Sequence, residues 1–138
     1  MLTERALMAE VISVLLVEDH ALLRKCLRRA LEDDADINVV GEAGNGVEAV
    51  QLTRSLRPAV VVMDMSMPVM DGLAATREIL GFAPETAVLV LSLDSGPDSV
   101  RKAFKAGARG YLAKNACDLD LSGAIRRVVL GSMAPAGQ

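Results

Sequence analysis

Along the chain, short apolar runs alternate with segments whose apolar residues recur three and four apart. VISVLLV (Val11 to Val17) precedes ALLRKCLRRALE, where Leu23, Cys26, Leu27, Ala30 and Leu31 recur at helical spacing. INVVGEA (Ile37 to Ala43) precedes GVEAVQLTRSL, in which Val47, Ala49 and Val50 share a face. The pattern repeats as AVVVMD (Ala59 to Asp64) before DGLAATREIL, TAVLVLS (Thr86 to Ser92) before PDSVRKAFKAG, and ARGYLAK (Ala108 to Lys114) before DLDLSGAIRRVVL. The strand segments are continuous apolar runs rather than alternating ones, the mark of strands buried on both faces. Such regular alternation predicts an α/β protein of five strand–helix units: a doubly wound, three-layer sandwich whose parallel sheet carries helices on both sides. Pro58, Pro84 and Pro97 punctuate loops or helix starts, and Gly107 stands where the fourth helix should end. Residues 11–131 are thus expected to form the domain, after an N-terminal extension at 1–10. The closing GSMAPAGQ breaks the pattern with small residues and a proline, so 132–138 read as the start of a linker or a short tail.

Composition narrows the function. With 51% hydrophobic residues and only 2% aromatic ones in 138, the core must be built from Val, Leu, Ile, Met and Ala. A net charge of −3 offers no general attraction to nucleic acid, so this chain alone is not expected to bind DNA or RNA. Cys26 and Cys117 lie far apart without metal-ligand spacing and read as reduced, buried or half-buried residues of a cytosolic protein. No apolar run approaches membrane-spanning length, and MLTERALMAE is too charged for a signal peptide. The expected location is the cytoplasm.

Chemistry concentrates at the strand ends. In an open parallel sheet the carboxyl ends of the strands meet at a crevice, and the first and third strands lie side by side there. The first closes with Glu18 and Asp19, the third with Asp64. Carboxylates gathered at one point repel unless a cation sits among them or some are protonated. An all-oxygen set without histidine or thiolate selects a hard ion and fits Mg²⁺. His20 is read as a cap or surface residue rather than a ligand. The fourth strand closes with Ser92, and the fifth delivers Lys114 just after Tyr111. A cation, a hydroxyl and a metal around one carboxylate make a receptor for a phosphoryl group, with Asp64 as the nucleophile that forms an acyl phosphate. Plainer roles stand beside these. Asp64 can cap a turn, Ser92 can be a loop hydroxyl and Tyr111 a half-buried core ring. Asp71 with Gly72 is assigned to helix capping, and Met63, Met65, Met67 and Met70 to packing.

In their order, LLVEDH, VVMDMSMPVMDG, LVLS and GARGYLAKNA resemble the receiver domain of two-component response regulators, a flavodoxin-like fold, over about Val11 to Leu130. VVGEAGNGVEAV and KAGARGYLAKNA look most like receivers of the LuxR-like subfamily, which usually carry a C-terminal helix-turn-helix DNA-binding domain. The resemblance implies that Asp64 accepts a phosphoryl group from a phosphohistidine on a sensor kinase. It implies Mg²⁺ held by Asp19 and Asp64, by Glu18 largely through water and by the Ser66 backbone carbonyl. Lys114 would pair with the phosphoryl oxygens, Ser92 would move to hydrogen-bond one of them, and Tyr111 would swing inward behind it. The readout would be the face made by the fourth helix, fifth strand and fifth helix. Three positions depart from or qualify the pattern. Ser92 stands where threonine is commoner, losing a methyl that restricts the rotamer. Asn115 follows the lysine where proline is frequent, so no cis bond is assumed there. Asp94 lies beside the expected path of attacking water, and with Ser66 it is expected to tune how long the phosphoryl group persists.

The expected function is a phosphoacceptor module, not a turnover enzyme, controlling a transcription regulator through a DNA-binding domain outside this chain. The alternative is a stand-alone receiver working in a phosphorelay or by protein contacts. A Mg²⁺-dependent phosphatase with an aspartyl nucleophile would want a second acid two residues on, where Ser66 stands. Dimerisation on phosphorylation is open, through the first and fifth helices or the fourth helix and fifth strand.

Overall fold

Each apolar run becomes a parallel strand, and each amphipathic segment a helix laid against the sheet. A computed structural model describes residues 11–65, 67, 69–94, 96–114 and 120–131. The elements are β1 (Ile12–Val17), α1 (Ala21–Glu32), β2 (Ile37–Ala43), α2 (Gly46–Leu56), β3 (Val60–Asp64), α3 (Gly72–Phe82), β4 (Ala87–Ser92), α4 (Pro97–Lys105), β5 (Gly110–Ala113) and α5 (Leu121–Leu130). One parallel sheet of five strands runs in the order β2-β1-β3-β4-β5. The strand order reverses direction at β1 and β3, which are neighbours as the sequence predicts.

Successive side chains of a strand point to opposite faces, so one strand feeds two cores. Val14 and Leu16 of β1, with Val60, Val62, Leu89 and Leu91, meet Leu27 and Leu31 of α1 and Leu121, Ile125 and Val128 of α5. Leu15, Val17, Val61, Met63, Val88 and Val90 turn the other way and meet Ala49 and Val50 of α2, Ala75 and Ile79 of α3 and Ala103 of α4. Burying each such Val, Leu or Ile contributes roughly 1.5–3 kcal/mol before the entropy of ordering is subtracted. The prediction of strands buried on both faces holds for β3 and β4 throughout and, but for half-buried Ser13, for β1. It fails for β2 and β5, whose residues are largely half-buried because an edge strand lacks a neighbour on one side.

Cys26 corrects the sequence reading: it is exposed, and so is Ala30. The inward stripe of α1 is Leu23, Leu27 and Leu31, spaced by four, which leaves Cys26 and Ala30 on the flank. Val47 is likewise mostly outside the core that takes Ala49 and Val50. Met63 and Met67 are buried, with Met65 and Met70 packed against them, as expected of filler. Cys117, Asn115, the N-terminal extension at 1–10 and the tail at 132–138 lie outside the described residues. No helix among the described residues is long and apolar enough to cross a membrane.

Two glycines shape the approach to the sheet edge. Gly107 ends α4 with φ of 110°, a left-handed conformation glycine adopts without a Cβ penalty. Gly72 starts α3 directly against the end of β3, where a Cβ would overlap the Asp64 carbonyl oxygen. Asp71 caps this helix by accepting from Ala74 N at 2.8 Å, as predicted, and Gly72 N donates to Met65 O at 3.0 Å.

Candidate functional site

Register brings the strand ends level. Val17 pairs with Met63, so the residue after each, Glu18 and Asp64, closes its strand at the same edge. Leu91 pairs with both Asp64 and Leu112, and Ser92 with Ala113, so Ser92 and Lys114 arrive at that edge too. Lys114 N then donates to Ser92 O at 2.8 Å, tying the last two strand ends together.

Glu18 and Asp64 are both buried, at 2% and 4% exposure. A cation between two buried acids offsets the cost of taking their charge out of water. Lys114 Nζ provides it, 2.7 Å from Glu18 Oε1 and 2.9 Å from Asp64 Oδ1. Burial pushes the Lys114 ammonium down, and the Glu18 and Asp64 carboxylates more than offset this, raising it above the usual lysine value. Asp19 sits exposed at the mouth. Burial pushes its carboxyl up, but hydrogen bonding with the Glu18 and Asp64 carboxyls and the Lys114 charge hold it below the ordinary aspartate range.

Carboxylate oxygens of Glu18, Asp19 and Asp64 all lie within 4.8 Å of one another. The fit to a divalent cation rests on the balance of charge. Three acidic side chains gather round one ammonium, Lys114 Nζ, which lies 2.7 Å from Glu18 Oε1 and 2.9 Å from Asp64 Oδ1. A cation offsets such a surplus of negative charge, and the all-oxygen donor set suits Mg²⁺.

The remaining predicted residues divide. Ser92 is buried, and its Oγ accepts from Asp94 N at 3.0 Å, leaving its own proton for another acceptor. Tyr111 is half-buried against the α2–α3–α4 core; its hydroxyl donates to the Asp94 carbonyl and lies 3.8 Å from Met65 Sδ. Asp94 thus stands between both switch candidates through its main chain. Its carboxylate faces elsewhere, accepting from Ser99 Oγ and from Gly96 N at 2.8 Å, and the Ser99 hydroxyl holds it below the usual range. Ser66 lies outside the described residues. His20 caps α1, accepting from Leu23 N on Nδ1 at 3.2 Å, and its own N–H donates to Glu18 Oε2 at 3.1 Å. Ser92, Asp94, Asp71 and Ser99 line an open groove of about 330 Å³ with Met65, Met67 and Leu73.

Sequence reasoning passed over Arg24. Its Nη1 donates to the Glu18 carbonyl at 2.6 Å, reaching the acidic loop from what the helical pattern marks as a polar face of α1. Its only sequence signal is position, in the first turn of α1 and five residues after Asp19.

Comparison with known proteins agrees with this geometry. The response regulator receiver domain family matches residues 14–126. The response regulator UvrY of Escherichia coli K12 is 44% identical over 121 residues, covering 88% of this chain and 56% of UvrY. This chain therefore spans little more than half the length of that relative. Among solved structures, a LuxR-family two-component response regulator from Aurantimonas sp. SI85-9A1 aligns with a TM-score of 0.86 at 34% identity, covering 92% of this chain and 91% of that one. The signal receiver domain of the putative response regulator NarL from Mycobacterium tuberculosis aligns with a TM-score of 0.83 at 33% identity, covering 88% and 98%. The family match and the acid pair, aspartate, hydroxyl and lysine at successive strand ends lead to one conclusion: the chain belongs to the receiver domain family of two-component response regulators, and within it is LuxR-like.

Proposed function

We propose that this domain takes a phosphoryl group onto Asp64 from a phosphohistidine of a sensor histidine kinase, in a Mg²⁺-dependent way, and so controls a DNA-binding transcription regulator. The observation that carries the reading is the Asp64–Lys114–Glu18 cluster, in which one ammonium lies between two buried carboxylates beside the exposed Asp19. Asp64 oxygen attacks phosphorus, the O–P bond forms as the N–P bond breaks, and the histidine nitrogen leaves with the electron pair. Such a transfer asks of the protein mainly positioning and charge neutralisation. Lys114 supplies a fixed positive charge where the phosphoryl oxygens arrive, and the Ser92 proton is available to one of them. Glu18, Asp19 and Asp64, with the Ser66 carbonyl, would hold Mg²⁺, which when bound neutralises negative charge on the phosphoryl group.

Use of Ser92 as a donor to the phosphoryl group changes its bond to Asp94 N, and Asp94 is bonded in turn to Tyr111. That chain of contacts reaches α4 at Ser99 and β5 at Tyr111, and supports a readout on the face these elements make with α5. DNA binding would come from a C-terminal domain outside this chain, and residues 132–138 would begin the linker to it. The module accepts and loses one group rather than turning over a substrate. Asp94 and Ser66 tune the lifetime of the phosphoryl group; an unchanged rate of phosphoryl loss in both Asp94→Ala and Ser66→Ala would refute that role.

The test of the site is chemical. An acyl phosphate is cleaved by hydroxylamine, whereas a phosphoserine is not. After incubation with a small phosphodonor and Mg²⁺, the added phosphoryl group should be released by hydroxylamine and map to the peptide containing Asp64. A hydroxylamine-stable label, or one on another peptide, would contradict the assignment.

A further inference from the structure

Glu18 is fixed at each of its polar atoms. Its N–H donates to Ala43 O at 3.0 Å, its Oε2 accepts from His20 N, its Oε1 lies beside Lys114 Nζ, and its carbonyl accepts from Arg24 Nη1 at 2.6 Å. Arg24 in turn donates through Nε to Glu42 Oε1 at 3.0 Å, and Arg28 pairs with the other oxygen of the same carboxylate. Glu42 and Ala43 both belong to the end of β2, an edge strand that contributes no member of the acidic cluster. So β2 grips the acid loop twice, once through its own backbone and once through the guanidinium.

A guanidinium this close to a cation site should repel a metal ion. Glu42 offsets that charge. Burial pushes the Glu42 carboxyl up, but the hydrogen bonds from Arg28 and Arg24 hold it below the usual range, so it stays ionised at neutral pH. What remains of Arg24 at the site is a directed, charge-assisted hydrogen bond to a carbonyl. That bond points the peptide joining Glu18 to Asp19, and with it both side chains. Partners that orient a metal ligand in this way strongly affect metal affinity.

We propose that Arg24, held by Glu42, is a positioning residue that sets the Glu18–Asp19 pair in the geometry that binds a divalent cation beside Asp64. This rests on the metal-binding part of the function proposed above. The test uses the 138-residue chain and Mg²⁺ alone. Calorimetric titration should show Arg24→Gln binding Mg²⁺ roughly tenfold more weakly than wild type, at the low end of the loss on removing such a partner. Arg28→Gln, which touches Glu42 but not Glu18, should stay within about twofold, because that side chain orients no metal ligand. In EDTA, amide exchange at Asp19 and His20 should quicken in Arg24→Gln and not in Arg28→Gln. Should Arg24→Gln unfold, Arg24→Lys is measured in its place; its ammonium lacks the planar fork that presents Nε to Glu42 and Nη1 to the Glu18 carbonyl, and it should shift affinity and exchange in the same direction. Equal or tighter Mg²⁺ binding in the Arg24 variant overturns the proposal, as does an equal loss in Arg28→Gln or unchanged exchange at the loop. If wild type itself binds no Mg²⁺, the metal reading of the site fails, and this proposal with it.

Discussion

Lys114 carries the greatest electrostatic responsibility of any side chain at the site, because it is the cation placed between two buried carboxylates. Removing one member of a buried ion pair leaves uncompensated charge. Lys114→Met should therefore lose roughly 3 kcal/mol of stability in EDTA at pH 7, read by urea unfolding, and regain part of it when Mg²⁺ is added. Equal stability of the two proteins in EDTA would show that the ammonium does not hold the acids together. The sign of the pH dependence follows from its raised pKa. The stabilisation is present below the ordinary lysine value and fades only as pH climbs through the higher folded one, so the ammonium stays charged at neutral pH. At this scale the sequence was most legible where an apolar run ended in a polar residue: Asp64, Glu18, Ser92 and Lys114 each announce themselves by contrast with the strand before them. Arg24 and Asp94 were not legible in that way. Arg24 sits on a helix face that periodicity assigns to solvent, and its partner Glu42 is 18 residues away on another element. Asp94 reads as a neighbour of the phosphorylation site, but the Gly96–Pro97 helix start takes up its carboxylate.

Elements are held in place by clamps that the hydrophobic pattern does not reveal. Arg126 of α5 donates through Nε to Asp36 Oδ2 at 2.8 Å and through Nη2 to Asp34 and Asp36 at 2.9 Å, and Ser122 donates to Asp34 from one turn earlier. These bonds fasten α5 to the loop between α1 and β2. The Ser122 and Arg126 hydrogen bonds hold Asp34 below the ordinary aspartate value of 3.8, and Arg126 does the same for Asp36. A depressed carboxylate stabilises the fold above its unfolded pKa, and that contribution disappears as pH falls through the folded one. Wild type should accordingly exceed Arg126→Met in unfolding free energy at pH 6, with the gap closing as pH falls below about 4; a gap independent of pH would exclude the clamp as its source. The alternation of strand and helix was readable because parallel strands buried on both faces leave long apolar runs. The width of each helix stripe was not, since Cys26 and Ala30 fit a helical spacing equally well and only the packing of Leu23, Leu27 and Leu31 decides which flank faces water. Edge exposure of β2 and β5 was hidden for a similar reason: strand order, not strand composition, makes an edge.

Across the whole molecule, the acidic cluster lies at the carboxyl ends of the strands, and contacts run from Lys114, the cation beside it, through Ser92 and Asp94 to Tyr111 on β5. Tyr111 is the sole tyrosine of a chain without tryptophan, so its emission reports on this one position. If phosphorylation draws on the Ser92 hydroxyl and disturbs the Asp94 segment, tyrosine fluorescence should change on adding a phosphodonor with Mg²⁺ to wild type. It should stay constant in Asp64→Asn; a constant signal in phosphorylated wild type would mean that the event does not reach β5. The doubly wound topology was legible as a whole, whereas the route of coupling needed coordinates, because it passes through main-chain atoms that any residue possesses. The central claim is that Asp64 is a Mg²⁺-dependent phosphoacceptor, and intact mass after incubation with a small phosphodonor tests it most directly. Wild type should gain the mass of one phosphoryl group with Mg²⁺ and none in EDTA, and Asp64→Asn should gain none in either. Absence of the gain in wild type with Mg²⁺, or its persistence in Asp64→Asn, would contradict the account.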